Sequence, residues 1–338
     1  MKIVPKNLEN YKTDVSIIVP THNRIVMLEE ALTSVRSQTF EGEIEIIVID
    51  DNSQDGTSEK ICQEYPEVRL IRLEQNQGAY VARNRAILEA KGKYIAFLDS
   101  DDLWEPEYLQ SQIETLEDRE SHFCASAVSV WYVDEDRKLT CPQKPDLVRF
   151  TSPLHQLLVK SNFIFSPSSV VFLREVFEEI GLFDETFRIG ADREFYARCI
   201  IFGYPPIFTE KPLAILRKHS QGQLTDLDAS KIELRKQSRI AYLEKLYPSI
   251  VERQLKAVPI RRLYAEIYST AARQFFKEKH FYSWLVSWFK TLKYASVKYV
   301  VLNMGRDVIR SFKKYSPTKI LKTVQNLRSN PLVGIKVK

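Results

Sequence analysis

Val15–Val19 (VSIIV) is a short β-branched run without polar alternation. That is the pattern of a strand buried on both faces of a parallel sheet. Ile25–Gln38 follows with apolar residues at helical spacing, at Met27, Ala31, Leu32 and Val35. Ile44–Ile49 (IEIIVI) predicts a second buried strand, Thr57–Tyr65 a helix, and Val68–Leu73 a third strand. Ala79–Ala90 predicts another helix, after which Gly92 and Lys93 turn into a strand at Tyr94–Leu98. Strands alternating with helices at this spacing predict a doubly wound α/β sheet. The middle, roughly Ser121–Leu216, is mixed, with short apolar runs at Ala125–Val133 and Ser169–Leu173. Beyond Asp226 the pattern turns helical, aromatic and basic. This places a boundary near 225, with an α/β domain over 1–225 and a helical, basic appendage over 226–338.

Open α/β sheets bind ligands outside the carboxyl ends of their strands. The polar clusters fall at those ends. Pro20-Thr21-His22-Asn23 follows the first strand, Asp50–Ser53 the second, and Asp99-Ser100-Asp101-Asp102 the fourth. Asp99 and Asp101, two residues apart at a strand end, can aim two carboxylates into one crevice. Mg²⁺ and Mn²⁺ prefer oxygen ligands and often use one or two carboxylates plus substrate phosphates. Such an ion lowers the cost of expelling a diphosphate. Helix capping competes as an explanation for Asp102, because a helix could start at Trp104-Glu105-Pro106.

Composition narrows the class. Hydrophobic residues make up 44% and charged residues 28% of 338 residues, so a sizeable core can be buried. The net charge of +5 conceals an asymmetry: Lys290–Lys338 carries twelve Lys and Arg against the single acid Asp307. A basic tail on an acidic body suggests a polyanionic partner surface. The N-terminal stretch lacks the apolar core of a signal peptide, and no apolar run is long enough to span a bilayer. The four cysteines are scattered and form no CxxC pair, as expected of reduced thiols in a cytoplasmic protein.

VSIIVPTHNR, VIDDNSQDGT, NQGAYVARNRAILEAKGKYIAFLDSDD and GLFDETFRIGADREFYARCIIFGY, in this order and spacing, resemble the successive motifs of family 2 glycosyltransferases. The resemblance covers about residues 13–220. It implies the GT-A fold, a Rossmann-like mixed sheet, and an inverting transfer from a nucleotide-diphosphate sugar, UDP being the first expectation. The acceptor implied is a saccharide or lipid-linked saccharide of surface polysaccharide or glycolipid synthesis, with Mn²⁺ or Mg²⁺ as cofactor.

Carried over residue by residue, the resemblance implies that Pro20, Thr21, His22 and Asn23 line the nucleotide pocket, His22 standing where Tyr is more usual. Asp51 matches the residue that hydrogen-bonds the uracil ring. Arg83 matches a donor-binding arginine, on a helix that begins after Gly78 and presents its amides to an anion. Asp99, with Ser100 beside it, is expected at the ribose or metal-bound water, and Asp101 at the metal itself. Asp192 matches the general base; the sequence has Ala191-Asp192 where many relatives have Glu-Asp. His219 is expected near the metal or diphosphate.

Phe281–Val301, with Trp284, Trp288, Phe289, Tyr294 and Tyr299 among Lys290, Lys293 and Lys298, reads as a helix suited to an anionic bilayer interface. That would make the protein peripheral at the inner face of the cell membrane. No nucleic-acid recognition motif accompanies the charge. A nicotinamide-dependent dehydrogenase would show GxGxxG after the first strand, where this chain has Pro20-Thr21-His22-Asn23. A nucleotidyltransferase would want a Gly-rich, basic phosphate loop near its N-terminus. An inactive, nucleotide-sugar-binding relative is the remaining alternative.

Overall fold

The computed structural model describes residues 13–141, 143–159, 162–218, 228–255 and 258–314. The chain divides into two compact units, Met1–Asp226 with Gln237–Val258, and Leu227–Lys236 with Pro259–Lys338.

The first unit is built on the predicted alternation. β1 (Thr13–Thr21), β2 (Ile44–Asp50), β3 (Val68–Arg72) and β4 (Gly92–Phe97) are connected by α1 (Ile25–Arg36), α2 (Thr57–Glu64) and α3 (Ala79–Glu89). These four strands pair in parallel in the order β3-β2-β1-β4. Val15, Ile17, Ile18 and Val19 are fully buried, as a strand covered on both faces requires. Each such side chain contributes about 1.5–3 kcal/mol through its removal from water. α1 packs through Leu28, Ala31, Leu32 and Val35. Leu28 thus takes the buried position expected of Met27, one residue round the helix.

Beyond β4 the sheet becomes mixed. After β5 (Asp102–Trp104) and α4 (Tyr108–Asp118) come β6 (Phe123–Tyr132), β7 (Arg137–Cys141), α5 (Pro153–Val159) and β8 (Val170–Leu173). α6 (Glu175–Ile180), α7 (Ala191–Ile201) and β9 (Ile207–Lys218) follow. The order continues β4-β8-β6-β9-β5, with β7 paired to β6. β8 runs antiparallel to β4 and β6, whereas β6 and β9 run parallel. The competing reading, a helix starting near Trp104, does not hold. Asp102–Trp104 is a short strand paired with β9, and α4 begins at Tyr108 without a side-chain cap. The β9 pairing, invisible in the local sequence, overrides the helix signal.

One residue explains why the sheet opens at its centre. Ile18 accepts from Leu98 on the β4 side, and Thr21 accepts from Asp51 on the β2 side. Backbone groups alternate along a strand, so Pro20 turns its nitrogen towards β4. The β1–β4 ladder has ended by then, its last pair being Ile18 with Phe97. Proline loses no bond there, which is the condition for its presence in a central strand. β1 and β4 part at this point, the position where the strand order reverses and where such sheets bind ligands.

The second unit contains the start of α8 (Ala229–Glu252) together with α9 (Ile260–Lys277), α10 (Phe281–Leu292) and α11 (Val297–Lys314). The expected continuous helix over Phe281–Val301 is therefore two helices. Trp288 is buried with Ala272 and Val300, and Trp284 packs against both small clusters of this unit. Tyr294 stacks on Tyr264 and Tyr268. These three aromatics face protein. No described helix is long and apolar enough to cross a membrane.

Candidate active site

The turns after β1 and β2 hold each other. Asn23 sits at φ 50°, the left-handed region that asparagine tolerates. From there its backbone N–H donates to Ser53 Oγ (2.9 Å) and its side-chain oxygen accepts from the Gln54 N–H (2.7 Å). His22 Nδ1 lies 2.7 Å from the Asp51 carbonyl oxygen and its Nε2 lies 3.0 Å from Asn23 Nδ2. The imidazole is thus fixed by the two turns.

The two neighbouring aspartates do different things. Asp50 is fully buried and closes its own turn, accepting from the Ser53 N–H and the Ser58 hydroxyl. Asp51 reaches across to the loop before α3. Its two oxygens accept from the backbone N–H groups of Gln77 (2.7 Å) and Gly78 (2.8 Å). Gly78 has φ 91°, a conformation that glycine adopts without strain. Each Asp51 oxygen keeps further acceptor capacity.

α3 then presents two residues of one face. Arg83 is 4% exposed and its guanidinium binds the Asp99 carboxylate. Arg85, two residues further along the helix, is exposed to solvent. Burial opposes the charge on Arg83, but Asp99, Tyr80 and Asp192 outweigh it and hold its pKa above the usual value. The Arg83 Nε–H is buried without a partner. Three residues earlier on the same face, Tyr80 donates its hydroxyl to Asp192 (3.0 Å). Burial, reinforced by the charge of Asp192, pushes the Tyr80 phenol well up, so it stays a donor. The other Asp192 oxygen accepts from Asn162 Nδ2 (3.1 Å). Asp192 lies in the first turn of α7, where the helix dipole favours a negative charge.

The acidic loop after β4 is braced from several elements. Asp102 is buried and accepts from Ser168 Oγ (2.6 Å) and the Arg217 N–H (3.2 Å). Burial, then the charges of Asp101 and Asp99, raise its pKa well above the ordinary carboxylate value. Ser168 Oγ also accepts from the Asp99 N–H, at 3.0 Å. The Arg217 guanidinium donates to the carbonyl oxygens of Asp101 (2.5 Å), Ser100 (3.4 Å) and Met27 (3.2 Å). Asp101 receives Arg24 at 2.6 Å.

Carboxylate oxygens of Asp99, Asp101 and Asp102 lie within 4.8 Å of one another. Three hard oxygen donors at that separation fit a divalent cation such as Mg²⁺ or Mn²⁺. The two outer acids are the accessible ones, since Asp102 is turned inward.

The structure thus gathers Pro20, Thr21, His22, Asn23, Asp51, Gly78, Arg83, Asp99, Ser100, Asp101 and Asp192 around the carboxyl ends of β1, β2 and β4 and the start of α7. His219 lies outside the described residues. Sequence reasoning missed Arg24, Tyr80, Asn162, Ser168 and Ser166, whose hydroxyl lies 3.4 Å from oxygens of Asp99 and Asp102, and it chose His219 over Arg217 in the closing segment. Two of them carried a signal: Tyr80 and Arg83 share a helix face by spacing, and Arg24 directly follows the Asn23 turn. The serines and Asn162 carried none, because their partners lie 30 or more residues away.

Residues 16–181 match the family described as Glycosyl transferase family 2. TuaG of Bacillus subtilis (strain 168), a glycosyltransferase named for teichuronic acid biosynthesis, is 38% identical over 131 residues, 38% of this chain and 51% of TuaG. YwdF of the same organism, described as an uncharacterized glycosyltransferase, is 31% identical over 186 residues, 54% of this chain and 67% of YwdF. The chain spans about half the length of TuaG and less than a third of several other relatives. Among solved structures, the mannosyltransferase PcManGT from Pyrobaculum calidifontis, in complex with GDP-Man and Mn²⁺, superposes with a TM-score of 0.57. That match has 19% identity and covers 94% of this chain and 85% of PcManGT, and it shows a shared GT-A fold. With the ordered motifs, the family match and the YwdF similarity in agreement, the chain belongs to glycosyltransferase family 2.

Proposed function

We propose that the chain transfers a sugar from a nucleotide-diphosphate donor to an acceptor hydroxyl, with inversion at the anomeric carbon. One observation carries the reading. Asp99 and Asp192 lie 93 positions apart in sequence, yet they are bound by two residues one helical turn apart, Arg83 and Tyr80. A phosphate-side group and a proton acceptor are thereby held at a fixed separation.

In this mechanism the β1 and β2 turns hold the nucleoside, with Asp51 offering acceptor oxygens to a base N–H. The buried guanidinium of Arg83, held by Asp99, places a fixed positive charge for the donor's phosphates. Asp99 and Asp101 would hold Mn²⁺ or Mg²⁺, which when bound neutralises the charge building on the leaving diphosphate. Asp192 takes the proton of the acceptor hydroxyl as its oxygen bonds to the anomeric carbon and the bond to phosphate breaks. Tyr80 and Asn162 keep that carboxylate aimed. The proposed acceptor is a saccharide or lipid-linked saccharide of surface polysaccharide synthesis, at the cytoplasmic face of the membrane; TuaG, named for teichuronic acid biosynthesis, supports it.

The test is a thermal-shift panel of UDP-, GDP- and dTDP-sugars with Mn²⁺. A cognate donor at 100 times its Kd should stabilise the protein by about 2.7 kcal/mol. Response to no nucleotide-sugar would overturn the proposal. UDP-sugars are the first expectation, and GDP-mannose is the arm suggested by PcManGT.

A second expectation concerns Tyr80. Tyr80→Phe removes one of the two side-chain donors that aim the Asp192 carboxylate. Transfer should fall by about tenfold or more, since a hydrogen bond to a charged group is worth about 1.5–3 kcal/mol, while donor binding followed by thermal shift stays within about twofold. Transfer at the parent's rate would remove Tyr80 from the positioning of Asp192.

A further inference from the structure

We propose that one face of α10, continued by exposed residues of α11, is a docking surface for an anionic lipid bilayer, with residues other than the tryptophans making the contact. Phe281, Tyr282, Leu285 and Phe289 are 55%, 81%, 39% and 67% exposed. At 100° per residue they fall within one stripe about 100° wide, the footprint of an interfacial helix. Ser287, Trp288 and Thr291 occupy the buried side of the same helix. On α11, Val297, Val301, Leu302 and Ile309 are each more than half exposed. Two successive helices of one unit therefore leave large apolar side chains in water.

The charge pattern selects the partner. Asp307 is the only carboxylate between Phe281 and Lys314, and it is 6% exposed. Its Oδ2 accepts both indole N–H groups, from Trp284 and Trp288, each at 3.2 Å. The described surface of α10 and α11 therefore carries no exposed carboxylate, while Lys290, Lys293, Lys298 and Arg306 are exposed. A second copy of the chain meeting this face would set lysines against lysines. A bilayer with anionic headgroups takes the apolar stripe into its boundary and pairs the cations at once. Neither helix can span the bilayer, so the helices lie in its plane. The inward turn of the tryptophans, Trp288 buried and Trp284 partly so, is what separates this surface from the one the sequence suggested.

The surface stands independently of the transfer reaction, and flotation tests it without turnover. The full chain is floated with vesicles of phosphatidylcholine alone and of phosphatidylcholine mixed with phosphatidylglycerol. It should rise with the mixed vesicles only, and less so as salt increases. Tyr282→Glu with Phe289→Glu should reduce binding by about tenfold or more, and Lys290→Ala with Lys293→Ala by a similar factor, at about 1 kcal/mol per cation. All four side chains are exposed, and an unchanged unfolding temperature confirms that the variants fold. Equal flotation with neutral vesicles, variants that float like the parent, or a doubled mass by light scattering that Phe289→Glu abolishes would each overturn the proposal, the last in favour of a second copy.

Discussion

Asp192→Asn should lower the rate of sugar transfer by about 10³-fold, within the 10²–10⁴-fold range of general base catalysis. Donor affinity should change by less than about twofold, as for removal of a transition-state interaction only. The reasoning is local. The amide has the shape of the carboxylate and keeps one oxygen to accept from Tyr80, so α7 need not move, although its NH2 group then meets the Asn162 NH2 and that one bond is lost. The capacity to take a proton disappears altogether. Transfer is followed with the donor and acceptor that the panel identifies, and binding by thermal shift. A variant that transfers as fast as the parent would remove Asp192 from the reaction. One that also loses donor binding would make it a structural group at the start of α7.

The second large effect lies in the acidic loop. Chelation by EDTA should abolish transfer and Mn²⁺ or Mg²⁺ should restore it, while Asp101→Ala should cost about 10²–10³-fold in turnover, the scale of losing one preorganised electrostatic group. The counterpart is Arg24, whose guanidinium lies 2.6 Å from one of the two Asp101 carboxylate oxygens. A partly exposed pair of this kind is worth up to about 1 kcal/mol. Arg24→Ala should therefore tighten Mn²⁺ binding in the absence of nucleotide by up to about fivefold. Titration followed by manganese spin resonance reads this without any turnover. Full activity of Asp101→Ala in EDTA would exclude the metal role. Unchanged Mn²⁺ affinity in Arg24→Ala would show that the cation does not compete for that oxygen.

The parallel half of the sheet was legible because its strands are covered on both faces. VSIIV and IEIIVI carry no alternation, and Gly, Asn and Asp punctuate the helices between them. The site's acids were legible for a related reason: they cluster at the ends of buried runs, where open α/β sheets bind ligands, although Asp50 and Asp102 turn out to brace their own loops. The mixed half was harder. β5 is three residues long and exists because β9, more than 100 residues on, pairs with it. No periodicity can announce such a strand, so a helix start that Asp102 could cap stood as the competing reading. Ser166, Ser168, Asn162 and Arg217 act through contacts of similarly long range. In the C-terminal unit, composition correctly marked an aromatic, basic segment but could not orient it. Trp284 and Trp288 turn inward because Asp307 offers their indole N–H groups a buried acceptor.

The grip of Asp51 on the Gln77 and Gly78 amides has a further implication. The residue proposed to read the base also anchors the first turn of the helix that aims Arg83. Whatever displaces that carboxylate loosens the guanidinium some eight ångströms along the helix, by the 1.5 Å rise per residue. On the proposed reading, nucleobase choice and phosphate grip would be mechanically coupled, and a mispaired base would be penalised twice.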